Sequence, residues 1–280
     1  MRNTTIKLGA TSLLFLALTA CGTMKDGGSM ASAAPKMGNV VALTASNKII
    51  TFNREAPTAV LSAAALTGIP AGEWVLGMDY RPSDGALYAV ASGGGIYTIN
   101  PATGVATKKS QLISSPDNKA PLTALTGSNF AVDFNPVADR LRVVSDTGQS
   151  LRINVDNGVA ISDGAINGVP GARVVAGAYT NSYPGATATA LYVINGADGS
   201  IYLQNPPNNG TLTNPVALGG APVSIEDFDI ESRSTNAYAV MTVNGKSGFY
   251  WIDMTNQSPV KIIGEWPGES VRAFALWQAK

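Results

Sequence analysis

Two stretches of this chain repeat each other without a gap. "DYRPSDGALYAVASGGGIYTINPATG" (79–104) and "DFNPVADRLRVVSDTGQSLRINVDNG" (133–158) lie 54 positions apart, with aspartate, proline, leucine, valine, glycine, isoleucine, asparagine and glycine in shared columns. Self-similarity at roughly this period marks a fold of stacked, like modules, each unable to bury its apolar face alone. Further copies follow. "VVALTASNKIITFN" (40–53) matches "LYAVASGGGIYTIN" (87–100) at a constant offset of 47. "LYVINGADGSIYLQNP" (191–206) matches with one residue inserted, and "AYAVMTVNGKSGFYWID" (237–253) with three. Each copy reads as strand, Gly/Asn/Asp-rich turn, strand: Ile96, Tyr97 and Ile99 are β-formers, and the turn glycines accept positive φ.

A leading strand precedes each hairpin: "WVLGMDY" (74–80), "NFAVDF" (129–134), "RVVAGAY" (173–179) and "IEDFDI" (225–230). A weaker segment such as "GVATKKSQL" (104–112) follows. Three good strands and one outer strand per module predict propeller blades. No long segment has a 3.6-residue apolar period, so helices should be scarce. The first copy lacks a leading strand, while "SVRAFALW" (270–277) is a leading strand with nothing after it. If the last strand completes the first blade, the ring closes and loses a free sheet edge. The expected fold is therefore an all-β, five-bladed propeller: 38–68 with 270–277, then 72–113, 127–168, 172–220 and 223–267. A six-bladed alternative would have to hide a blade in 113–128, which is short and polar.

The N-terminus reads separately. "MRNTTIK" is basic, "LGATSLLFLAL" apolar, and "LTAC" ends on Cys21, the one cysteine of the chain. This is a secretory signal too short to span a bilayer, and it closes on a lipobox like that of bacterial lipoprotein precursors. The resemblance implies residues 1–20 as signal peptide, acylation (palmitate and related chains) at Cys21, and a flexible tether over 21–37 ahead of the domain at 38–280. The expected partner is thus a membrane, reached through a lipid anchor. The expected place is the cell envelope, and with Gly22 after the cysteine, the outer membrane where there is one.

Cleavage would leave 17 basic and 19 acidic residues in a 260-residue mature chain, with no basic cluster. That balance argues against nucleic acid and against electrostatic docking on anionic lipid. With no cysteine beyond the anchor, stability must come from the core, and the domain is expected to be monomeric. The chain has no histidine, which removes Ser-His-Asp triads, Cys-His pairs and histidine-ligated zinc or haem.

The two long repeat motifs, with "ALTGIPAGEW" (65–74) ahead of the first, resemble the bacterial domain-of-unknown-function family numbered 4394, over 40–277. The resemblance implies secreted or envelope proteins with a propeller-like β fold. It carries no activity and no catalytic residues onto this chain.

Chemistry is sought where one copy departs from its sisters. Asp79 and Asp133 recur, so they read as turn-building acceptors of backbone N–H groups. The third blade departs with Arg140, Arg142 and Arg152 in place of Ala86, Tyr88 and Thr98. With Asn135 and Asp139 nearby they could bind an anionic small molecule, or Arg142 could pair with an acid of the next blade and bridge two sheets. The fifth blade departs with Glu226, Asp227 and Asp229 on its leading strand. Together with Asp133 and Asn135 they are the candidate ligands for a calcium ion, as in a lactonase- or esterase-like hydrolase. No other cofactor is expected. Trp74, Trp251, Trp266 and Trp277 are scattered over blades at positions where core packing is the default. A contiguous aromatic patch on one rim would instead indicate carbohydrate or protein docking. The preferred reading is a lipid-anchored, non-enzymatic module for an envelope protein or small ligand, with the calcium hydrolase as alternative.

Overall fold

A computed structural model describes residues 36–115, 124–218, 222–254, 260–266 and 269–277. They form five sheets arranged as blades. The chain runs through β1 (Val40–Thr44), β2 (Lys48–Phe52) and β3 (Ser62–Ala65), then β4 (Val75–Tyr80), β5 (Leu87–Ala91), β6 (Gly95–Ile99) and β7 (Ala106–Gln111). The short β8 (Ile113–Ser114) leads to β9 (Phe130–Asn135), β10 (Arg140–Ser145), β11 (Ser150–Ile153) and β12 (Val159–Ser162). Blade four holds β13 (Val174–Tyr179), β14 (Leu191–Asn195), β15 (Ser200–Gln204) and β16 (Leu212–Ala217). Blade five holds β17 (Pro222–Ile230), β18 (Asn236–Val243), β19 (Lys246–Asp253) and β20 (Val260–Glu265), and β21 (Val271–Leu276) ends the described chain. The one helical element among the described residues is a 3₁₀ turn at Pro207–Asn209.

The first sheet has the order β21-β1-β2-β3, so the C-terminal strand does complete the first blade. Val41 lies opposite Ala275 and Ala42 opposite Phe274. The seam is sealed by aromatics from three places in the sequence. The Phe249 ring meets Phe274 edge-on at 5.3 Å and Phe52 at 5.5 Å, a geometry that ring quadrupoles favour. Between blades two and three aliphatics share the job with one aromatic pair: Val90 and Ile96 pack in one buried cluster with Val132 and Leu141, and the Tyr88 ring meets Phe134 edge-on at 5.4 Å.

The start of the stretch 113–128 contributes to blade three, where β8 adds a fifth strand parallel to β12. It is one case of a recurring device. The linker leaving a blade straps onto the outer strand of the next: Thr67 bridges Val105, Ile113 pairs with Val159, and Asn167 bridges Thr211. Each strap lies over a left-handed glycine, Gly104, Gly158 or Gly210 (φ 71°, 77° and 69°), where a Cβ would run into a backbone carbonyl of the preceding blade's last strand or of the linker that leaves it: Ala65, Gln111 or Ala165. This accounts for the glycine that ends both copies of the long repeat.

The tryptophans divide. Trp251 donates its indole N–H to Asn236 and Trp266 packs against Phe52, as core residues do. Trp74 and Trp277, expected to be core as well, are instead 55% and 49% exposed. Each stands at an end of an inner strand, just before β4 and just after β21, where no neighbouring sheet covers it. Cys21 and the tether as far as residue 35 lie outside the described residues.

Candidate functional site

The inner strands β4, β9, β13, β17 and β21 surround the axis. Register aligns Asp79, Asp133, Ala178, Asp229 and Ala275 in one layer, opposite Tyr88, Arg142, Tyr192, Tyr238 and Val41. An inner strand has a free edge toward the axis, and its N–H groups there need acceptors. The next residue in each blade supplies one such amide, and three aspartates serve all five. Asp79 accepts from Tyr80 at 2.6 Å and from Phe134 of the next blade at 2.8 Å. Asp133 accepts from Tyr179 of its next blade at 2.9 Å. Asp229 accepts from Ile230 at 2.6 Å and, across the seam, from Leu276 at 2.8 Å. Two alanines in the layer suffice because each carboxylate has two oxygens. Asp227 repeats the arrangement two residues earlier, accepting from Phe228 and Phe274 at 2.8 Å each.

The structural role expected of Asp79 and Asp133 therefore holds, with one correction. Their acceptor bonds chiefly staple neighbouring blades together; only Asp79 also accepts from the residue that follows it. Burial drives the carboxyls of Asp79, Asp133 and Asp227 well above the usual carboxylate range, and mutual repulsion adds to it. Burial likewise pushes Asp229 up to about 7 against the pull of its two amides.

These geometries decide what the proposed calcium ligands can do. Asp227 and Asp229 spend both carboxylate oxygens on amides, and Asn135 caps its own turn by accepting from Val137 and Ala138. Glu226 falls at a bulge of β17, between Ile225 and Asp227, and is exposed. Among the described residues no three acidic or cysteine side chains gather as a metal-holding group.

The arginine cluster also divides. Arg142 is 2% exposed and fully engaged: to Asp163 at 2.5 Å, Ser150 at 3.1 Å, Tyr179 at 3.2 Å and Asn208 at 2.7 Å. It does bridge two blades, but the acid, Asp163, follows β12 of its own blade, while blade four supplies only neutral oxygens. Arg152 grips the same Asp163 through two bonds, at 2.7 and 2.9 Å. Arg140 stays at the turn, donating to the Ala138 and Asp139 carbonyls. Asp139 belongs to another group, taking a bidentate bond from Arg81 of blade two at 2.7 and 2.9 Å. Arg142 and Arg152 thus brace the ring, both of their guanidinium groups being turned to Asp163.

A site does open where the inner strands begin. A cavity of about 190 Å³ is lined by Asn129, Asp146, Arg173, Val175, Gly196, Ser224, Ile225 and Glu226. Asp146 is held in place, accepting from the Ser128 amide and the Asn129 side chain at 3.0 and 3.1 Å. The Arg173 backbone is fixed by Asn195, whose side-chain oxygen accepts its N–H at 2.8 Å. The Arg173 and Glu226 side chains have no ion-pair partner among the described residues. Arg173 was open to detection: it heads "RVVAGAY" in the column where Trp74 and Asn129 head theirs, and it is the charged member. A search for departures restricted to the hairpins passes over it.

A family profile described as "Domain of unknown function (DUF4394)" matches residues 48–275. No curated protein matches the chain. Among solved structures, a protein of unknown function from Bacteroides thetaiotaomicron is 17% identical, with 88% of this chain and 63% of that one covered at a TM-score of 0.49. The chain thus spans less than two thirds of that protein. Virginiamycin B lyase from Staphylococcus aureus is 14% identical, with 84% and 71% covered at a TM-score of 0.43. A chain of a nidogen/laminin complex is 13% identical, with 86% and 98% covered at 0.45.

Proposed function

The chain belongs to the DUF4394 family, and from that premise we propose that it is a lipid-anchored, non-enzymatic binding propeller of the cell envelope whose ligand enters the channel mouth. One observation supports this reading above the rest: Arg173 and Glu226 line a single small cavity, and neither is neutralised by another described side chain. A cavity that keeps opposite charges apart suits a small ligand carrying both, such as an amino acid or the end of a peptide. Its carboxylate would lie toward the planar Arg173 fork and its ammonium toward Glu226. Asn129 and Ser224 would supply neutral hydrogen bonds.

The anchor rests on the lipobox at 18–21. Diacylation of Cys21 and acylation of its freed amine would hold the domain to a membrane, since each buried methylene contributes ~0.8 kcal/mol. The tether would let the mouth face away from the bilayer. In a Gram-negative cell the outer membrane is the expected host.

Thermal melts of the full chain against a panel of free amino acids and short peptides test the mouth. A shift by at least one ligand, lost in both R173A and E226A, supports it; a panel without shifts, or shifts that survive both variants, overturns it. Anchoring is tested by Cys21→Ser, which should move the protein from the membrane to the soluble fraction and abolish incorporation of labelled palmitate.

A further inference from the structure

A second, chemically different groove lies at the other end of the channel. The inner strands run in the same sense, since the aspartate staples join like positions of successive strands; β4 therefore ends where β21 ends. Tyr80 is the last residue of β4 and Trp277 the first after β21, and their rings meet edge to face at 5.3 Å and 75°. They flank a groove of about 440 Å³ whose other wall is the outer half of blade two. Trp277 is tied by its backbone N–H to the Asn39 carbonyl at 2.8 Å, and its half-exposed indole rests against the Tyr80 ring.

The lining has a distinct composition. Among the described residues it contains two aromatics, the cross-strand pair Thr98 and Thr107, Asn100 and Val105, and not one charged side chain. The mouth described above is defined by its charges; this groove is neutral and rich in hydroxyl and amide groups. The Tyr80 hydroxyl is buried and has no hydrogen-bond partner among the described residues. An unsatisfied buried hydroxyl is uncommon because it forfeits its bonds to water without replacement. Asn100 uses its side-chain oxygen to cap the turn, accepting from Ala102 and Thr103, which turns its amide donors outward as the spare groups.

We propose that this groove binds a neutral carbohydrate, with the apolar face of a sugar ring on the Trp277 indole and ring hydroxyls on Thr98, Thr107 and the Asn100 amide. A flat half-exposed indole offers a surface for the C–H face of a sugar. Short hydroxyl and amide groups match its rim, and the absence of charge disfavours anionic or cationic ligands. The groove is an open trough along the blade, so a glycan chain is favoured over a free monosaccharide. The site goes beyond the mouth reading, shares no residue with it, and stands or falls separately.

The test is titration of the full chain with neutral oligosaccharides (trimers of glucose, mannose, galactose and N-acetylglucosamine), their monosaccharides and one uronic-acid trimer, followed by tryptophan fluorescence and calorimetry. The expected result is binding of at least one neutral trimer, tighter than its monosaccharide and than the charged trimer. Trp277→Ala should weaken it at least tenfold, Thr107→Val several-fold, while Trp74→Ala at the opposite end leaves it unchanged. Should Trp277→Ala lower the melting temperature, Thr107→Val on the exposed strand surface still reports on the groove. No neutral trimer binding below about 10 mM, tighter binding of the charged trimer, or binding indifferent to both groove variants overturns the proposal.

Discussion

The carboxylate of Asp229 accepts the backbone N–H of Leu276 at 2.8 Å, across 47 residues of sequence and across the seam of the ring. Asp227 does the same for Phe274 one layer earlier. The fifth blade is thereby joined to the strand that completes the first. Deleting 270–280 would strip β1 of its inner partner, remove Phe274 from the aromatic cluster and leave two buried carboxylates without half their donors. The truncated chain is expected to lose near-ultraviolet circular dichroism and its cooperative melt. Asp229→Asn, which turns one acceptor into a donor facing an amide, should keep the fold at a cost of about 1–3 kcal/mol, roughly 2–12 °C of Tm for a domain of this size. A truncated chain that melts cooperatively would show that the seam is dispensable.

The same carboxyls set a pH dependence. A group whose folded pKa lies above its unfolded value, about 3.9 for aspartate, binds its proton more tightly when folded. Its stabilisation is complete below about pH 4 and is lost as pH rises through the folded value, about 7 for Asp229 and upward-shifted for Asp79, Asp133 and Asp227. The outer ion pairs act oppositely. Arg81 and Lys109 hold Asp156 down at about 2, so its contribution fails only in strong acid, and solvent exposure keeps it small. Tm should therefore fall between pH 5 and pH 8, by an amount worth a few kcal/mol. Asp229→Asn should flatten that slope while lowering Tm at pH 5. A Tm that is level or rising over the interval would mean these carboxyls are ionised in the folded ring.

The ring was legible because its modules share columns, and a shared column reports a shared backbone need. The glycine ending both long repeats and the recurring aspartate were visible as constants before their purpose was. Their partners were not, because Asp229 and Leu276 are neighbours only once the chain has closed. The division of the arginines was hidden for a related reason: Arg142 and Arg152 face each other by strand register, but the acid they share, Asp163, sits past the hairpin where no column marked it. The exposure of Trp74 and Trp277 depends on which strand ends are left uncovered, which composition does not encode.

Gly158 separates backbone strain from loss of the strap. Its φ is 77°, and an added Cβ would collide with the Gln111 carbonyl beneath β8. Gly171 has φ 73° and open space around it. Gly171→Ala should therefore cost about 1 kcal/mol from the left-handed backbone alone. Gly158→Ala should cost about 2–4 kcal/mol, with amide exchange speeding up at Ile113 and Ser115, whose N–H groups bond to the Gly158 and Ala160 carbonyls. Equal losses in denaturant titrations would assign no stability to the strap.

Arg142 tests whether the departure of blade three is a brace or a ligand site. Removing the guanidinium leaves buried Asp163 with Arg152 alone and deprives Asn208, Tyr179 and Ser150 of a donor. Arg142→Ala is expected to cost about 3–5 kcal/mol, and Arg142→Lys to recover less than half, because an ammonium cannot reach four partners in a planar fan. Arg152→Ala, at a partly exposed position, should cost less. Titration with sulfate should raise the wild-type Tm only gradually and without saturation, as a kosmotropic salt does. A saturable sulfate effect lost in Arg152→Ala would instead make the pair an anion site.

Calcium supplies the remaining contrast. The ion requires about 6–8 oxygens at roughly 2.3–2.6 Å, and a carboxylate oxygen already accepting an N–H points its lone pair at the amide. Both oxygens of Asp79, Asp227 and Asp229 are so occupied, and Glu226 is exposed at a bulge of its strand. Binding the ion through both oxygens of one of these carboxylates would give up its bond to the neighbouring inner strand and its bond to the residue that follows it. Millimolar calcium after treatment with EDTA is therefore expected to leave Tm within error of the chelated protein, because a ligand stabilises only as far as it binds the folded form. A saturable rise in Tm that disappears in Asp227→Asn but persists in Glu226→Gln would place an ion among the staples and reopen metal-assisted hydrolysis. A rise that disappears in Glu226→Gln alone would place it at the mouth, with the staples intact.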